Sequence, residues 1–345
     1  MPVRPNYVLR REGESDAWRE SVYAFRPISD PDRPGQYVRV SGAGSERERQ
    51  HSLRLLTDHF FSGADPLVRQ LREDQFDPGR RTGIVVNSYE QVAFIKAYLR
   101  RTSSSAHRVM GVTSDIRKIP SSERSEWVSA SQVELLGTRD DWDAIVFPMK
   151  AIGRGVNIVF ADGPRVRDAI LGTVAFFVRP HPTADSLAFT GGLAGQLALR
   201  FDRRSIPADA DIPGLIKEWR GARDEALDSL RWLLRRPQQI SRLGRMMQPF
   251  VADGMVDLLQ TIGRAMRNGC KTRVYFVDAS FAPNSAKNKR DDHRSSMIVA
   301  MRDVLEGLLS SDDPVEREIY RLLYEPFLHP LRACAGVNFP ERRRQ

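Results

Sequence analysis

From residue 82 onward, short apolar runs rich in β-branched residues alternate with segments of helical periodicity. The run at 83–87 is apolar at almost every position, which is typical of a strand buried on both faces. A helix is predicted at 89–101, with Ser88 as its N-cap and Gln91 completing a capping box. Further strands are predicted at 108–112, 144–148, 156–160, 169–178 and 272–278. Strands separated by helices need crossover connections, so the pattern predicts a doubly wound α/β domain with a parallel sheet.

The segments around this pattern divide the chain into four predicted regions. Residues 1–80 are interpreted as an N-terminal extension or linker that contains one strand at 36–40. Residues 81–178 and 254–285 form the α/β domain, which a mostly helical insertion interrupts at 179–253. Residues 286–345 are predicted to contain two C-terminal helices and a basic tail.

The charge of the chain makes nucleic acid a candidate partner. There are 53 Lys and Arg residues against 44 Asp and Glu residues, a formal net charge of +9. Such an excess attracts polyanions. A solvated arginine-rich surface explains the same numbers, so charge alone does not decide between the two interpretations.

The composition also bears on location. No run of about 18 apolar residues occurs, so neither a membrane span nor a membrane partner is predicted. The two cysteines, Cys270 and Cys334, lack metal-like spacing, and no metal site is predicted. Two cysteines in 345 residues favour the reducing cytoplasm.

The segment 258–279 carries the strongest chemical signal. On a helix, Gln260, Arg264 and Arg267 fall within roughly 60° of one another, while Met255, Leu259, Ile262 and Met266 occupy the other side. Two arginines one turn apart offer forked donors to the oxygens of a transferring phosphoryl group. Gly263 permits close approach of a ligand or backbone. The alternative is an amphipathic helix whose arginines face water.

Two other segments lie where predicted strands end. The segment 150–157 contains Gly153 and Gly155, which permit a tight turn whose amides approach phosphate. At Ser88, the free amides of a helix start form a phosphate site to which the hydroxyl can contribute. Thr113 marks a third strand end. The alternative interpretation of 150–157 is a glycine-rich turn, and that of Ser88 is an ordinary strand-to-helix turn.

Taken in order, these segments resemble the motifs of the second motor lobe of superfamily 2 helicases. Gln260-x-x-Gly263-Arg264-x-x-Arg267 resembles the last motif of that family, and 150–157 and 84–91 resemble two earlier ones. The resemblance implies a RecA-like fold and ATP-driven movement on nucleic acid.

The resemblance also assigns roles to individual residues. Arg267 would be the arginine finger, Arg264 a γ-phosphate contact and Gln260 a further residue facing ATP. Nucleotide would be bound or sensed by Gly155, Asn157 and Gly263. Nucleic acid would be contacted by Lys150, Ser88 and Thr113.

One part of the family pattern is missing. The chain contains no GxxxxGK[ST] loop, which would supply the amide cradle, lysine and magnesium-binding hydroxyl. ATP and Mg²⁺ would therefore be held mainly by a first lobe on another chain or segment. The expected partners are that lobe and nucleic acid, with DNA favoured over RNA. By itself the chain is expected to be catalytically silent.

Two other functions compete with a half-motor. One is a degenerate, non-catalytic nucleic-acid-binding module, which would not need an arginine finger. The other is an unrelated doubly wound enzyme, such as a nucleotide-sugar transferase, whose helix arginines bind a diphosphate.

Overall fold

Seven strands form a single all-parallel sheet. The computed structural model describes residues 17–74, 76, 78–104, 106–152, 156–180, 211–235 and 247–340. The strands are β1 (Val22–Phe25), β2 (Arg81–Val86), β3 (Val109–Thr113), β4 (Trp127–Ser129), β5 (Ala144–Pro148), β6 (Leu171–Phe176) and β7 (Arg273–Phe276). Their order in the sheet is β1-β7-β6-β2-β5-β3-β4, with every pairing parallel. The predicted parallel α/β architecture is confirmed.

Helices cover the sheet through crossovers that run in two directions. They are α1 (Glu46–Phe61), α2 (Leu67–Glu73), α3 (Tyr89–Thr102), α4 (Met149–Ile152), α5 (Ile212–Arg235), α6 (Met247–Ala265), α7 (Met297–Leu309) and α8 (Pro314–Arg332). The path from β1 through β2 to β3 moves one way across the sheet, and the path from β5 through β6 to β7 moves back. Because such crossovers are right-handed, α1–α3 cover one face and α6 the other. This is the doubly wound arrangement.

The flanking regions belong to the same structural unit as the sheet. The segment predicted as an extension at 1–80 contributes β1, which pairs with β7 from Val22↔Arg273 to Phe25↔Phe276. One core cluster extends from Trp18 to Val337 and includes residues of α1, α7 and α8. Residues on both sides of the predicted limits at 80 and 285 therefore pack in the same core as the sheet.

Two of the predicted strands are wrong. At 156–160 only Val159 forms a bridge, antiparallel to Ala169. Backbone hydrogen bonds from Ile170 to Ile158 and from Phe160 to Asp168, both 3.0 Å, keep this run against the chain that immediately follows it. At 36–40 there is likewise only one isolated antiparallel bridge, between Tyr37 and Ser29.

The predicted insertion is described only in part. Its helix α5 carries Ile216, Trp219 and Leu227 on an exposed surface. The stretches 181–210 and 236–246 lie outside the described residues. Within the described part of the chain, no helix is both long and apolar enough to cross a lipid bilayer.

A buried arginine holds the amino-terminal edge of the sheet together. Arg80, which precedes β2, is 1% exposed. Its guanidinium donates to the carbonyls of Ala169 (2.7 Å), Leu171, Ala265 (2.6 Å) and Lys271 (2.6 Å). The acceptors belong to β6, the end of α6 and the approach to β7, so one side chain connects three elements.

We expect Arg80→Ala to lower the free energy of unfolding by at least about 3 kcal/mol, because several buried carbonyls lose their donor. Urea denaturation measures this loss. Arg124→Ala is the matched control, since Arg124 donates to the carbonyl of Ile119 at an exposed position, and it should change stability by less than about 0.5 kcal/mol. Equal effects of the two substitutions would contradict the role assigned to Arg80.

Candidate functional site

The three residues that are predicted to contact nucleic acid lie at one edge of the sheet. Ser88 and Lys150 follow the last residues of β2 and β5, and Thr113 is the last residue of β3. These strands are adjacent in the order β2-β5-β3 and are parallel, so their carboxyl ends lie side by side. Ligands of open α/β sheets bind at this edge.

The Ser88 hydroxyl is occupied by the helix that it begins. It accepts a hydrogen bond from Gln91 N at 3.3 Å, and Gln91 Oε1 accepts one from Asn87 N at 2.8 Å. The predicted N-cap is confirmed, and the reciprocal bond goes to the residue before the cap. The pKa of Glu90 is lowered, first by a hydrogen bond with the Ser88 side chain and then by one with the backbone of Glu90 itself. A carboxylate therefore already lies at the helix start where phosphate was expected.

Thr113 is buried and bonded within its own turn. Its Oγ1 donates to Asp115 O and accepts from Asp115 N, both at 3.3 Å. Asp115 in turn caps the following turn by accepting from Arg117 N at 3.0 Å. The Thr113 hydroxyl thus shapes the loop after β3.

Lys150 offers an exposed positive charge at the same edge. It lies on α4 with 49% of its side chain exposed, and its Nζ is 4.0 Å from Asp257 Oδ2 of α6. A half-exposed pair at this distance contributes little to stability. Of the three residues, Lys150 has the charge best suited to a phosphate.

The predicted nucleotide-facing residues come together near the end of α6. Arg264 Nη1 donates to Asn157 Oδ1 at 3.3 Å, across 107 residues of sequence. Asn157 N donates to Glu134 Oε1 at 2.7 Å. Gln260 lies one turn before Arg264, and its buried Oε1 has no hydrogen-bond partner among the described residues. Gly263 is buried between them.

Arg267 is not on the helix that was predicted to carry it. Helix α6 ends at Ala265, and Arg267 begins a 3₁₀ turn that continues to Gly269. Asn268 has a left-handed backbone (φ 58°), and its side chain donates to Asp168 at 2.6 Å. The helical projection therefore fails for Arg267, because the chain must turn here to enter β7. It holds for Met255, Leu259 and Ile262, which are all buried, and Met266 is buried just beyond the end of the helix.

The two arginines create a site that favours negative charge. Burial first, and then the nearby charge of Arg267, lower the pKa of Arg264, while Glu134 acts in the opposite direction. Arg264 is 8% exposed, so its charge is poorly hydrated. A bound anion would relieve both the desolvation and the repulsion. Forked donors on two guanidiniums suit phosphate oxygens.

The segment 150–157 contacts α6 near each of its two ends. Lys150 faces Asp257 and Asn157 faces Arg264. Lys150 and Asn157 are seven residues apart in sequence, as are Asp257 and Arg264. Seven residues of helix correspond to about 10 Å. The predicted glycine turn, including Gly155, lies outside the described residues. Lys150 thus lies beside the strand-end edge, and Asn157 lies beside the arginine cluster.

Two residues of this site carried no recognised sequence signal. Glu134 lies in the 3₁₀ segment Ala130–Thr138 and has no motif around it. Asp257 could have been found, because it precedes Arg264 by seven residues and so projects from nearly the same side of the helix.

No protein-family model matches the chain, and no curated protein sequence matches it.

We expect Ser88→Ala to lower the free energy of unfolding by about 1 kcal/mol, because the amide of Gln91 loses its cap. Ser88→Asp should recover the lost stability, since aspartate caps equally well and its negative charge is favourable at the start of a helix. Chemical denaturation of the three proteins tests this. Thr102→Ala is the control, because Thr102 is an exposed residue near the other end of α3. If Ser88→Ala and Thr102→Ala behaved alike, Ser88 would not stabilise the helix.

Proposed function

We propose that this chain is the second motor lobe of an ATP-dependent nucleic-acid helicase or translocase. The observation that carries the proposal is the hydrogen bond between Asn157 and Arg264. These residues belong to two separate motifs of the superfamily 2 resemblance, which assigns both to the nucleotide.

The chemistry of the site fits a part that acts on a phosphate held elsewhere. Arg264 and Arg267 supply fixed positive charge, and Gln260 supplies a buried amide. In phosphoryl transfer such arginines neutralise charge that develops on the transferred group. Because the chain has no GxxxxGK[ST] loop, we assign the binding of ATP and Mg²⁺ to a first lobe on another chain or segment.

Nucleic acid is proposed to follow the carboxyl edge of the sheet. Lys150 is the principal phosphate contact, while Ser88 and Thr113 belong to the same surface and set the backbone around it. A net charge of +9 favours a polyanionic partner. DNA is proposed ahead of RNA, and the cytoplasm is proposed as the location.

The first experiment measures ATP hydrolysis by the chain alone and by the native complex isolated through it. The chain alone should show no turnover, with or without single-stranded DNA or RNA. The complex should hydrolyse ATP, and Arg267→Ala should reduce its kcat by about 10³-fold or more, as for other arginine fingers. Arg321→Ala is the control, because Arg321 lies on α8 with 51% of its side chain exposed and pairs with Glu318 at 2.8 Å.

Two outcomes would overturn the proposal. Stimulated turnover by the chain alone that Arg267→Ala abolishes would mean that it grips ATP itself. A complex whose ATPase activity is unchanged by Arg267→Ala would favour the degenerate binding module.

A second experiment measures oligonucleotide binding at several salt concentrations. Lys150→Gln should reduce the slope of log affinity against log salt concentration by about one, because one phosphate contact is lost. Lys271→Gln is the control, since Lys271 precedes β7 at the opposite edge and pairs with Glu20 at 2.6 Å. Identical slopes for the wild type and Lys150→Gln would exclude Lys150 as a phosphate contact.

A further inference from the structure

A cluster of metal-ligating side chains lies away from the site described above. Asp30 and Asp32 belong to the loop between β1 and α1, and His51 lies on α1. The loop is held by a hydrogen bond from Asp30 N to Gln36 O at 2.9 Å. Ser52 Oγ donates to Arg39 O at 2.9 Å and ties α1 to it. One ligand atom from each of the three residues lies within 4.8 Å of the other two.

The spacing of these atoms is that of ligands around a cation. His51 Nε2 is 3.5 Å from Asp30 Oδ2 and 3.7 Å from Asp32 Oδ2. Both distances exceed the range of an ordinary hydrogen bond. In a tetrahedral zinc site with bonds of about 2.0–2.1 Å, neighbouring ligand atoms are about 3.3 Å apart. The two distances from His51 Nε2 are therefore close to those expected between ligands of one coordinated ion.

The imidazole nitrogen provides a second, independent observation. His51 Nε2 is buried and has no hydrogen-bond partner within the described part of the chain. A protonated nitrogen there would need an acceptor within about 3.2 Å, and an unprotonated one would need a donor. A metal ion satisfies the lone pair without either. Asp30, which is 8% exposed, directs its Oδ2 toward the same point.

One arginine lies beside the cluster at ion-pair distance. Arg33 Nε is 4.0 Å from Asp30 Oδ2, and Arg33 Nη1 is 3.9 Å from Glu48 Oε1. Neither contact is a hydrogen bond, so the guanidinium is too distant to take the place of a bound cation.

We propose that Asp30, Asp32 and His51 bind a divalent transition-metal ion of the zinc class. One imidazole and two carboxylates suit such an ion better than Ca²⁺ or Mg²⁺, which prefer oxygen alone. Asp32 is 71% exposed, so water completes the coordination sphere. The ion joins the loop at 29–37 to α1. This site is independent of the proposed motor function.

The test titrates the full-length chain, free of any polyhistidine tag, with Co²⁺ and Zn²⁺. We expect one Co²⁺ per chain, with the visible absorption of a nitrogen- and oxygen-ligated ion, and its displacement by Zn²⁺. Zn²⁺ should also raise the Tm. His51→Ala and Asp32→Asn should each weaken binding by at least about tenfold, because a ligand is lost. Asp32→Asn preserves the shape of an exposed side chain, so it should fold normally.

Matched controls separate this site from adventitious binding. His107→Ala removes an exposed histidine that contacts the Ser104 carbonyl at 3.0 Å, and Glu46→Gln removes an exposed acid from the same helix as His51. Both should bind Co²⁺ like the wild type. Absence of stoichiometric binding by the wild type would overturn the proposal in favour of an imidazolium–carboxylate pair. Unchanged affinity in both Asp32→Asn and His51→Ala would overturn it as well.

Discussion

The fully buried guanidinium of Arg80 holds together the elements on which the rest of the structure depends. A parallel sheet leaves the amino ends of its strands and the ends of its crossover helices with carbonyls that need donors. Arg80 supplies donors to β6, to the last turn of α6 and to the approach to β7. Gly172 makes room for it, since a Cβ at that position would lie 2.8 Å from Arg80 Cβ. The 3₁₀ turn that presents Arg267 lies between two of the bonded carbonyls, Ala265 and Lys271.

Helix α6 gives the candidate site its dimensions. Its course from Asp257 to Arg264 is matched by the segment from Lys150 to Asn157, with a contact at each end. The strand-end edge and the arginine cluster therefore both contact α6. The proposed motor function requires nucleic-acid occupancy to be coupled to the state of the nucleotide, and α6 is the element that contacts both regions.

Much of the candidate site was predictable because the relevant signals are local. A strand followed by a capped helix identified Ser88, and helical periodicity separated the apolar side of α6 from Gln260 and Arg264. Other parts were not predictable from local pattern. The helix ends before Arg267 because the chain must enter β7, and Glu134 reaches Asn157 from a segment without a motif. The short edge strand β1 was also not predicted, since four residues carry too little periodicity to identify a strand.

The sequence by itself determined the fold class, because buried β-branched runs separated by helices permit little other than a parallel sheet. It also determined which side of α6 is apolar. Only the tertiary structure decided that residues 17–80 complete the sheet and that Asn157 meets Arg264. It alone brought Asp30 and Asp32 to His51, which lies about twenty residues later in the chain. Such contacts depend on how the elements pack, and local residue patterns do not encode the distance between segments that are remote in sequence.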